Sequence, residues 1–386
     1  MNSDNQNTEH PVERKKYIFF GFAIFLMQFI GIIALPLYII GFLSIISSNK
    51  FLNSIRYIPM FFSFLSLSLV IVLYFGLIQG LHTWNLTYWG LFYVVTFGTI
   101  GIKDKVLALR CLKYCVYAIF FADIFTNLLL LVGFDVPWSS LPPIRTGEKM
   151  ARFTGVKGNT LYSGSISFMA YCFSLQEKNI KKIVKLLFIA CTIFNLGLSG
   201  SFRYYIICAF VFGLYLFRLQ KHRIFLILGY IGSIVLVYFA TKFTMLLNLS
   251  NYYRFMIWSH FIKEISLSPI IGHGLFNMHL SSGMDFSSYE LLIDRGVTES
   301  CILLVGYCFG IPILCLFISS IIKTLIRCKS YEKYKVELGL FVGLTLDLFW
   351  GGSFDNTLSI SLLILSWYCI NENYFNTKPL ISNEKP

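Results

Sequence analysis

The chain has 386 residues, of which 56% are hydrophobic and only 13% charged, and its formal net charge is +13. Soluble domains carry about one quarter charged residues, so this composition excludes a soluble globular protein. Apolar runs recur along the chain, and many are long enough to cross a hydrocarbon core of about 30 Å. The sequence predicts an all-α polytopic integral membrane protein, with one membrane domain over residues 1–386. The positive charge indicates topology and not a nucleic-acid partner, because basic residues collect in loops between spans.

The N-terminal region predicts an uncleaved signal-anchor. A polar head ends in Arg14-Lys15-Lys16, and the apolar stretch 17–47 follows it. No cleavage site of small residues ends a short hydrophobic region, as a removable signal peptide would require. As one helix, this stretch would be about 46 Å long at 1.5 Å per residue, half as long again as the hydrocarbon core. Pro36 lies where a reversal or a kink can divide it into two segments.

Apolar segments follow one another along the whole chain. They cover residues 17–34, 36–47, 57–79, 86–102, 114–134, 159–175, 183–199, 204–217, 224–241, 300–322, 336–350 and 357–371. If all of them span, both termini and the most basic loops lie on one side, which is the cytoplasm by the positive-inside rule. A single span at 17–47 would instead move Lys50 and Arg56 across the membrane. The sequence therefore predicts about twelve transmembrane helices, with both termini cytoplasmic.

The opposite side is predicted to receive a smaller loop, 135–158, a large periplasmic loop, 242–299, and the short turn 199–203. The remaining basic residues lie there: Arg145, Lys149, Arg152, Lys157, Arg203, Lys242, Arg254, Lys263 and Arg295. Basic side chains placed against the positive-inside bias indicate an anionic partner, and arginine binds phosphate well because its planar fork donates in pairs. Contact with lipid head groups is the alternative for each lysine. It explains Arg203 less well, because the turn is very short.

The large loop carries most of the candidate site residues. Arg254 and Trp258 come first, His273 follows between two glycines, and Glu299 ends the loop. Long loops without a clear helical or strand period are functional or disordered, and the aromatic residues and glycines here favour function. His273 is a candidate ligand or catalytic group, with a hydrogen-bonding strut as the alternative.

Two carboxylates lie within apolar segments, Asp123 and Asp347. An unpaired carboxylate costs about 2.5–3.5 kcal/mol at the centre of a spanning helix, so each is expected to have a partner or a water-filled site. No basic partner is evident inside the apolar segments, which favours a structural role over proton-coupled transport. The ten cysteines show no metal or disulfide spacing and are expected to pack as small hydrophobic residues.

Four short motifs follow one another between about residues 150 and 315. They are Arg152-Phe-Thr-Gly155 with Gly158-Asn159, then Leu198-Ser-Gly-Ser-Phe-Arg203, then Arg254-x-x-x-Trp258 with Pro269-x-x-Gly272-x-Gly274, then Glu299-Ser-x-x-Leu303 with Gly310-Ile. In order, spacing and predicted side, the set resembles that of bacterial O-antigen polymerases (Wzy-type) and O-antigen ligases, integral-membrane enzymes of surface polysaccharide assembly. Ligases carry histidine-asparagine where this chain has Glu299-Ser300, and Phe202 is inserted before Arg203. Both departures favour a polymerase.

The resemblance implies a GT-C-like architecture and a metal-independent glycosyltransferase of lipopolysaccharide biosynthesis in the bacterial cell inner membrane. Its donor and acceptor would be undecaprenyl-diphosphate-linked glycans, with membrane lipids and a chain-length regulator as further partners, and with no cofactor and no nucleic acid. Arg203 and Arg254 would clamp the diphosphate, and Glu299 would take the proton of the attacking hydroxyl. Substrate binding would involve Arg152, Asn159, Trp258, His273 and Arg295.

Alternatives remain open. A ligase would transfer the glycan to a lipid or protein acceptor, and a transporter or flippase would depend on an ion gradient. For Glu299, the alternative to a catalytic base is a salt bridge with Arg295, one helical turn earlier.

Overall fold

The computed structural model describes residues 11–79, 83–134, 136, 153, 155–156, 160–177, 181–244, 249–274, 300–351 and 356–377. Within these ranges the chain is all-helical, and the β structure is confined to an isolated bridge between Ile46 and Ile102. Five of the described helices are long and apolar enough to cross a membrane. The prediction of a helical, membrane-embedded protein is therefore confirmed.

Fourteen α-helices occur in the described residues. They are α1 Pro11–Ile30, α2 Leu35–Ile45, α3 Ser48–Ile55, α4 Pro59–Gln79, α5 Thr83–Ile100, α6 Lys105–Leu131, α7 Thr160–Gln176, α8 Lys182–Ser199, α9 Phe202–Phe217, α10 Arg223–Thr244, α11 Leu249–Leu267, α12 Cys301–Arg327, α13 Val336–Trp350 and α14 Thr357–Thr377. Each predicted apolar segment overlaps one of these helices. The five of spanning length lie at Pro59–Ile78, Lys105–Leu131, Lys182–Ser199, Arg223–Phe243 and Cys301–Ser330.

The first apolar stretch forms two helices and not one. A 3-10 turn at Gly31–Ala34 separates α1 from α2, and the ring centroids of Phe20 and Phe42 lie 4.8 Å apart. A Cβ added at Gly41 would lie only 3.3 Å from the Phe20 Cα, so the two backbones approach closely. Pro36 occupies the first turn of α2, where its missing N–H removes no helical hydrogen bond. The chain therefore reverses here, as the two-segment interpretation predicted.

Loops that were predicted to share one side meet at one end of the bundle. Side chains and backbone link four of them, through Ser47 N–H to the Gly101 carbonyl (3.0 Å), Lys113 Nζ to Glu177 Oε1 (2.6 Å), and Arg327 Nη1 to the Tyr57 carbonyl (3.3 Å). These contacts bring the most basic loops together, which is the grouping that the charge bias predicted.

The centre of the bundle is built on α13, whose side chains are almost all buried, and on α14, which is buried over most of its length before its last turns. On α13, a Cβ added at Gly343 would lie 1.9 Å from the Phe168 ring, so α7 packs directly on this helix. By contrast, most residues of the spanning windows of α4, α8 and α10 are not buried, and large apolar side chains cover their outer faces. Such faces fit contact with lipid tails.

Helix α12 is broken at Gly310, which adopts φ 81° and ψ 173°. Pro312 has no N–H to donate to the Cys308 carbonyl, and the break also frees the carbonyl of Tyr307. The Ile311 N–H, which would normally bond to Tyr307, donates instead to the Pro269 carbonyl at 2.7 Å.

The segment 268–274 supplies the missing donors. The N–H groups of His273 and Gly274 donate to the carbonyls of Tyr307 and Cys308 at 2.8 and 3.1 Å. A Cβ at Gly310 would lie 2.4 Å from the Ile270 carbonyl oxygen, so only glycine fits at the crossing. Non-helical backbone is tolerated at membrane depth when other protein groups form hydrogen bonds with its N–H and C=O groups, as they do here.

The large predicted loop is thus more structured than the sequence indicated. Within 242–299 the chain forms helix α11, and the segment 268–274 packs on α12; residues 245–248 and 275–299 lie outside the described ranges. No helical period predicted α11. Its contacts with other helices stabilise it, including the Phe261 and Tyr307 rings, whose centroids lie 4.9 Å apart.

Candidate functional site

A cavity of about 580 Å³ lies between α7, α9, α10, α11 and α13. Three of the predicted site residues line it: Arg203 from α9, and Arg254 and Trp258 from α11. Most of the remaining lining is apolar, and Ser201 and Thr241 add hydroxyl groups. The structure therefore gathers cationic, aromatic and apolar groups from distant parts of the sequence around one space.

The turn 199–203 delivers Arg203 to this cavity. Gly200 ends α8 in the left-handed conformation with φ 62°, and α9 begins at Phe202. On the facing helix α7, a Cβ at Gly164 would lie 2.7 Å from the Ser201 Cβ, so the turn needs small residues on both sides. The small residues of this motif thus allow the first turn of α9 to pack closely against α7.

Arg203 is held by a buried carboxylate. Its Nε lies 3.1 Å from Asp347 Oδ1, and the two side chains are 10% and 3% exposed. Its Nη1 donates to the Trp350 carbonyl, and its Nη2 lies 3.3 Å from the Tyr204 hydroxyl, which donates to Asp347 Oδ2 at 3.0 Å. A cation in the first turn of α9 opposes the helix dipole, and the carboxylate and a carbonyl at the C-terminal end of α13 offset that cost.

Asp347 therefore has the basic partner that the sequence did not reveal. The expectation that this carboxylate is partnered is confirmed, whereas the absence of an intramembrane basic partner was wrong. Arg203 and Asp347 offset each other's charge, and Arg254, which is partly buried on α11, adds a second arginine to the cavity lining.

Trp258 belongs to an aromatic cluster at the inner wall of the cavity. Its ring centroid lies 5.0 Å from that of Trp350 and 5.1 Å from that of Phe255, and only 6% of Trp258 is exposed. The indole Nε1 of Trp350 is buried without a hydrogen-bond partner among the described residues. Sequence reasoning missed Trp350. The available signal was that Trp350 follows Asp347 by three residues, which places the two on the same side of one helix.

His273 lies outside the described lining of this cavity. Its Nε2 lies 2.8 Å from the Glu264 carbonyl oxygen, and its ring stacks on Tyr307 with centroids 4.8 Å apart. These contacts are those of a hydrogen-bonding strut that fixes the segment 268–274 on α12. A part in substrate binding stays a prediction.

The other predicted site residues, Arg152, Asn159, Arg295 and Glu299, lie outside the described residues. Residues one and two positions after two of them, Arg152 and Glu299, are anchored at the cavity end. The Phe153 N–H donates to the Leu198 carbonyl at 2.9 Å, and the Cys301 N–H to the Gly351 carbonyl at 3.3 Å. Residue 153 therefore lies beside the turn before Arg203, and residue 301 lies beside the end of α13. The roles of the four residues stay predictions.

Asp123 has the partners that its burial required. It accepts hydrogen bonds from the Ser163 hydroxyl, the Asn195 amide and the Val156 N–H at 2.5, 3.0 and 3.0 Å. Gly155 has φ 65°, and a Cβ there would lie 1.8 Å from Asp123 Oδ1. This polar network ties residues 155–156 to α6, α7 and α8, close to the turn that carries Arg203.

In comparisons with known proteins, no family model matches the chain, and no curated protein matches it.

Proposed function

We propose that this chain is a glycosyltransferase that polymerises polyprenyl-diphosphate-linked oligosaccharide repeat units into a surface polysaccharide. The supporting observation is the cavity that joins Arg203 and Arg254 to apolar and aromatic walls. A polyprenyl-diphosphate-linked glycan has an apolar tail, a polyanionic head and sugar rings. Each of these three parts has a matching group in the cavity.

In the proposed reaction, a hydroxyl of the acceptor sugar attacks the anomeric carbon of the donor glycan. The new C–O bond forms as the bond to the diphosphate oxygen breaks, and the diphosphate leaves with the electron pair. Arg254 stabilises the charge that grows on this leaving group, which is usually the largest catalytic contribution. Glu299 accepts the hydroxyl proton, and a single displacement of this kind inverts the anomeric centre. The Arg203–Asp347 pair holds the wall against which the diphosphate lies.

The finer topology belongs to the same proposal. We infer about twelve spans in a GT-C-like arrangement in the bacterial inner membrane, with the cavity end periplasmic and both termini cytoplasmic. The meeting of basic loops at one end supports this orientation by the positive-inside rule. Single cysteines placed at 283 and 329 in a cysteine-free background would test it. A membrane-impermeant reagent applied to intact spheroplasts should label position 283 alone, and the reverse pattern would contradict the orientation.

A ligase would use the same donor site and differ in the acceptor. The Glu299-Ser300 pair, in place of histidine-asparagine, supports the polymerase. Purified protein in lipid nanodiscs, given only the lipid-linked repeat unit, should therefore produce a ladder of longer lipid-linked chains. Transfer to lipid A-core or to a protein acceptor, with no ladder, would instead establish the ligase.

The charge of Arg254 can be tested against a matched control. Arg254→Ala should lower the rate of chain extension by about 10²-fold or more, because one donor to the developing anion is lost. Lys263→Ala removes the same charge from an exposed position of the same helix, outside the described cavity lining, and should extend chains at the normal rate. Equal effects of the two variants would remove Arg254 from the mechanism.

The base is tested at Glu299. Glu299→Gln keeps size and polarity but cannot accept the proton, so transfer should fall by about 10²-fold or more while donor binding is retained. Glu299→Asp should keep part of the activity. If the carboxylate served only as a partner for Arg295, then Arg295→Ala would reproduce the Gln variant. Both variants would then lose protein stability, while the transfer reaction itself would be unaffected.

A further inference from the structure

A second, smaller cleft lies at the other end of α12 from the cavity, where α4 begins beside α14. Two cations line this cleft, Lys323 and Arg327, which lie one helical turn apart on α12. Ser320 and Asn371 add a hydroxyl group and an amide. The space inside the cleft is about 10 Å³, which is enough for one oxygen atom, so the rest of any ligand has to lie outside it.

Arg327 is held in place by neutral groups. Its Nη1 donates to the Tyr57 carbonyl at 3.3 Å and to Asn371 Oδ1, and its guanidinium lies 4.8 Å from the centroid of the Phe375 ring. Lys323 is exposed, and among the described residues no carboxylate lies within ion-pair distance of either cation. The cleft therefore presents two positive charges that no neighbouring acid in the described structure offsets.

The first turn of α4 contributes to the same cleft. Met60 and Phe61 line it, and the first N–H groups of a helix have no partner within that helix. Pro59, the first residue of α4, has no N–H, so the donors of this turn begin at Met60. Their dipoles favour an anion and add to the attraction exerted by Lys323 and Arg327.

The position of the cleft is at the level of lipid head groups. Helices α4 and α12 both have spanning length, and the cleft lies at the first residues of one and the last turns of the other. From the cleft, Pro59, Ser63, Leu67, Val70 and Tyr74 form an exposed face along α4, because they follow one another at spacings of three and four residues. The three residues farthest from the cleft are each at least half exposed. An acyl chain can therefore lie on α4 while its head group reaches the cleft.

We propose that this cleft binds the phosphate of an anionic phospholipid, phosphatidylglycerol, whose acyl chains lie on the exposed face of α4. One phosphate oxygen enters the cleft, and Lys323 and Arg327 bind the charged group. A zwitterionic lipid is a poorer ligand, because its own cation competes with these two side chains for the phosphate. The inference is independent of the proposed glycosyltransferase activity. It depends on the proposed orientation only for the leaflet, which is then the cytoplasmic one.

Titration of the full-length protein with phosphatidylglycerol in detergent, followed by native mass spectrometry, tests this site. Lys323→Ala should weaken the tightest binding step by about fivefold or more, the loss expected for one basic side chain at a charged head group. Lys323→Arg keeps the charge and should retain most of the affinity. As the matched control, Lys329→Ala removes the same charge from an exposed position just beyond α12, outside the described lining of the cleft. This variant should bind the lipid as the unchanged protein does.

The melting temperature without added lipid should be the same for all of these proteins, because both lysines are exposed. Three results would overturn the inference. Equal weakening by Lys323→Ala and Lys329→Ala would show attraction to the general charge of this surface. Equal affinity for phosphatidylcholine would show that the cleft does not select an anionic head group. Complete displacement of the lipid by inorganic phosphate would assign the cleft to a free phosphate ion.

Discussion

The guanidinium of Arg203 and the carboxylate of Asp347 lie 3.1 Å apart, although their positions in the sequence are far apart. The pair joins the first turn of α9 to the last turns of α13 and closes one wall of the cavity. Both groups are nearly buried, so each depends on the other to offset the loss of hydration. The pair therefore has a structural role, whatever part Arg203 takes in catalysis.

Removal of one partner should be costly, and removal of both much less so. Arg203→Ala should lower the free energy of unfolding by about 3–5 kcal/mol, because it leaves a buried carboxylate unpaired. The double variant Arg203→Met, Asp347→Leu should recover most of that loss without recovering chain extension. Unfolding in detergent measures the first effect, and Arg223→Ala, at an exposed position of α10, is the control. Additive losses in the double variant would contradict a coupled pair.

The break in α12 should tolerate only glycine. Gly310→Ala places a Cβ 2.4 Å from the Ile270 carbonyl oxygen at a φ of 81°, so the segment 268–274 has to move away from the helix. We expect a clear fall in melting temperature and faster proteolysis within 268–274. Gly232→Ala lies in open space on α10 and should change stability by less than about 1 kcal/mol, because alanine is the better helix former. Similar melting temperatures for both variants would show that the crossing is looser than the structure indicates.

The Asp123 network should stabilise the region before the turn that carries Arg203. Asp123→Asn keeps the volume, but its amide nitrogen cannot accept a hydrogen bond. At least one of the three donors then loses its partner, at about 1–3 kcal/mol for a buried group. Hydrogen exchange should become faster at residues 155–156. Ser266→Ala removes an exposed hydroxyl on α11 and serves as the control. An unchanged rate of hydrogen exchange in the Asn variant would show that this network does not anchor residues 155–156.

Helix α11 should lose stability in mild acid. Burial lowers the pKa of His260 below its ordinary value, and although Glu264 raises it, Lys263 lowers it further. Because the folded protein then binds a proton less readily than the unfolded chain, the stability contributed by the neutral imidazole is lost as the pH falls below about 6.5. His260→Gln does not titrate, so its unfolding free energy should fall less steeply across this range. Equal slopes for the two proteins would contradict the prediction.

Most of the helix positions follow from the sequence alone. In a hydrocarbon environment a backbone N–H or C=O group has no water to bond to, so a long apolar segment has to become a helix. The apolar segments accordingly each overlap a helix, and Pro36 correctly marked the division of the first stretch. The resemblance assigned Arg203, Arg254 and Trp258 to contacts with one substrate, and the three line one cavity, while their roles stay predictions.

The tertiary structure decided what the local pattern could not contain. Helix α11 has no single apolar face, and it forms because its side chains pack on neighbouring helices. Asp347 finds Arg203 only after α9 and α13 are brought side by side, and the carbonyls freed at Gly310 find their donors only in the distant segment 268–274. A sequence displays how apolar each segment is, since hydrophobicity is a property of single residues. It does not display which buried polar group meets which other, because that depends on helix packing in three dimensions.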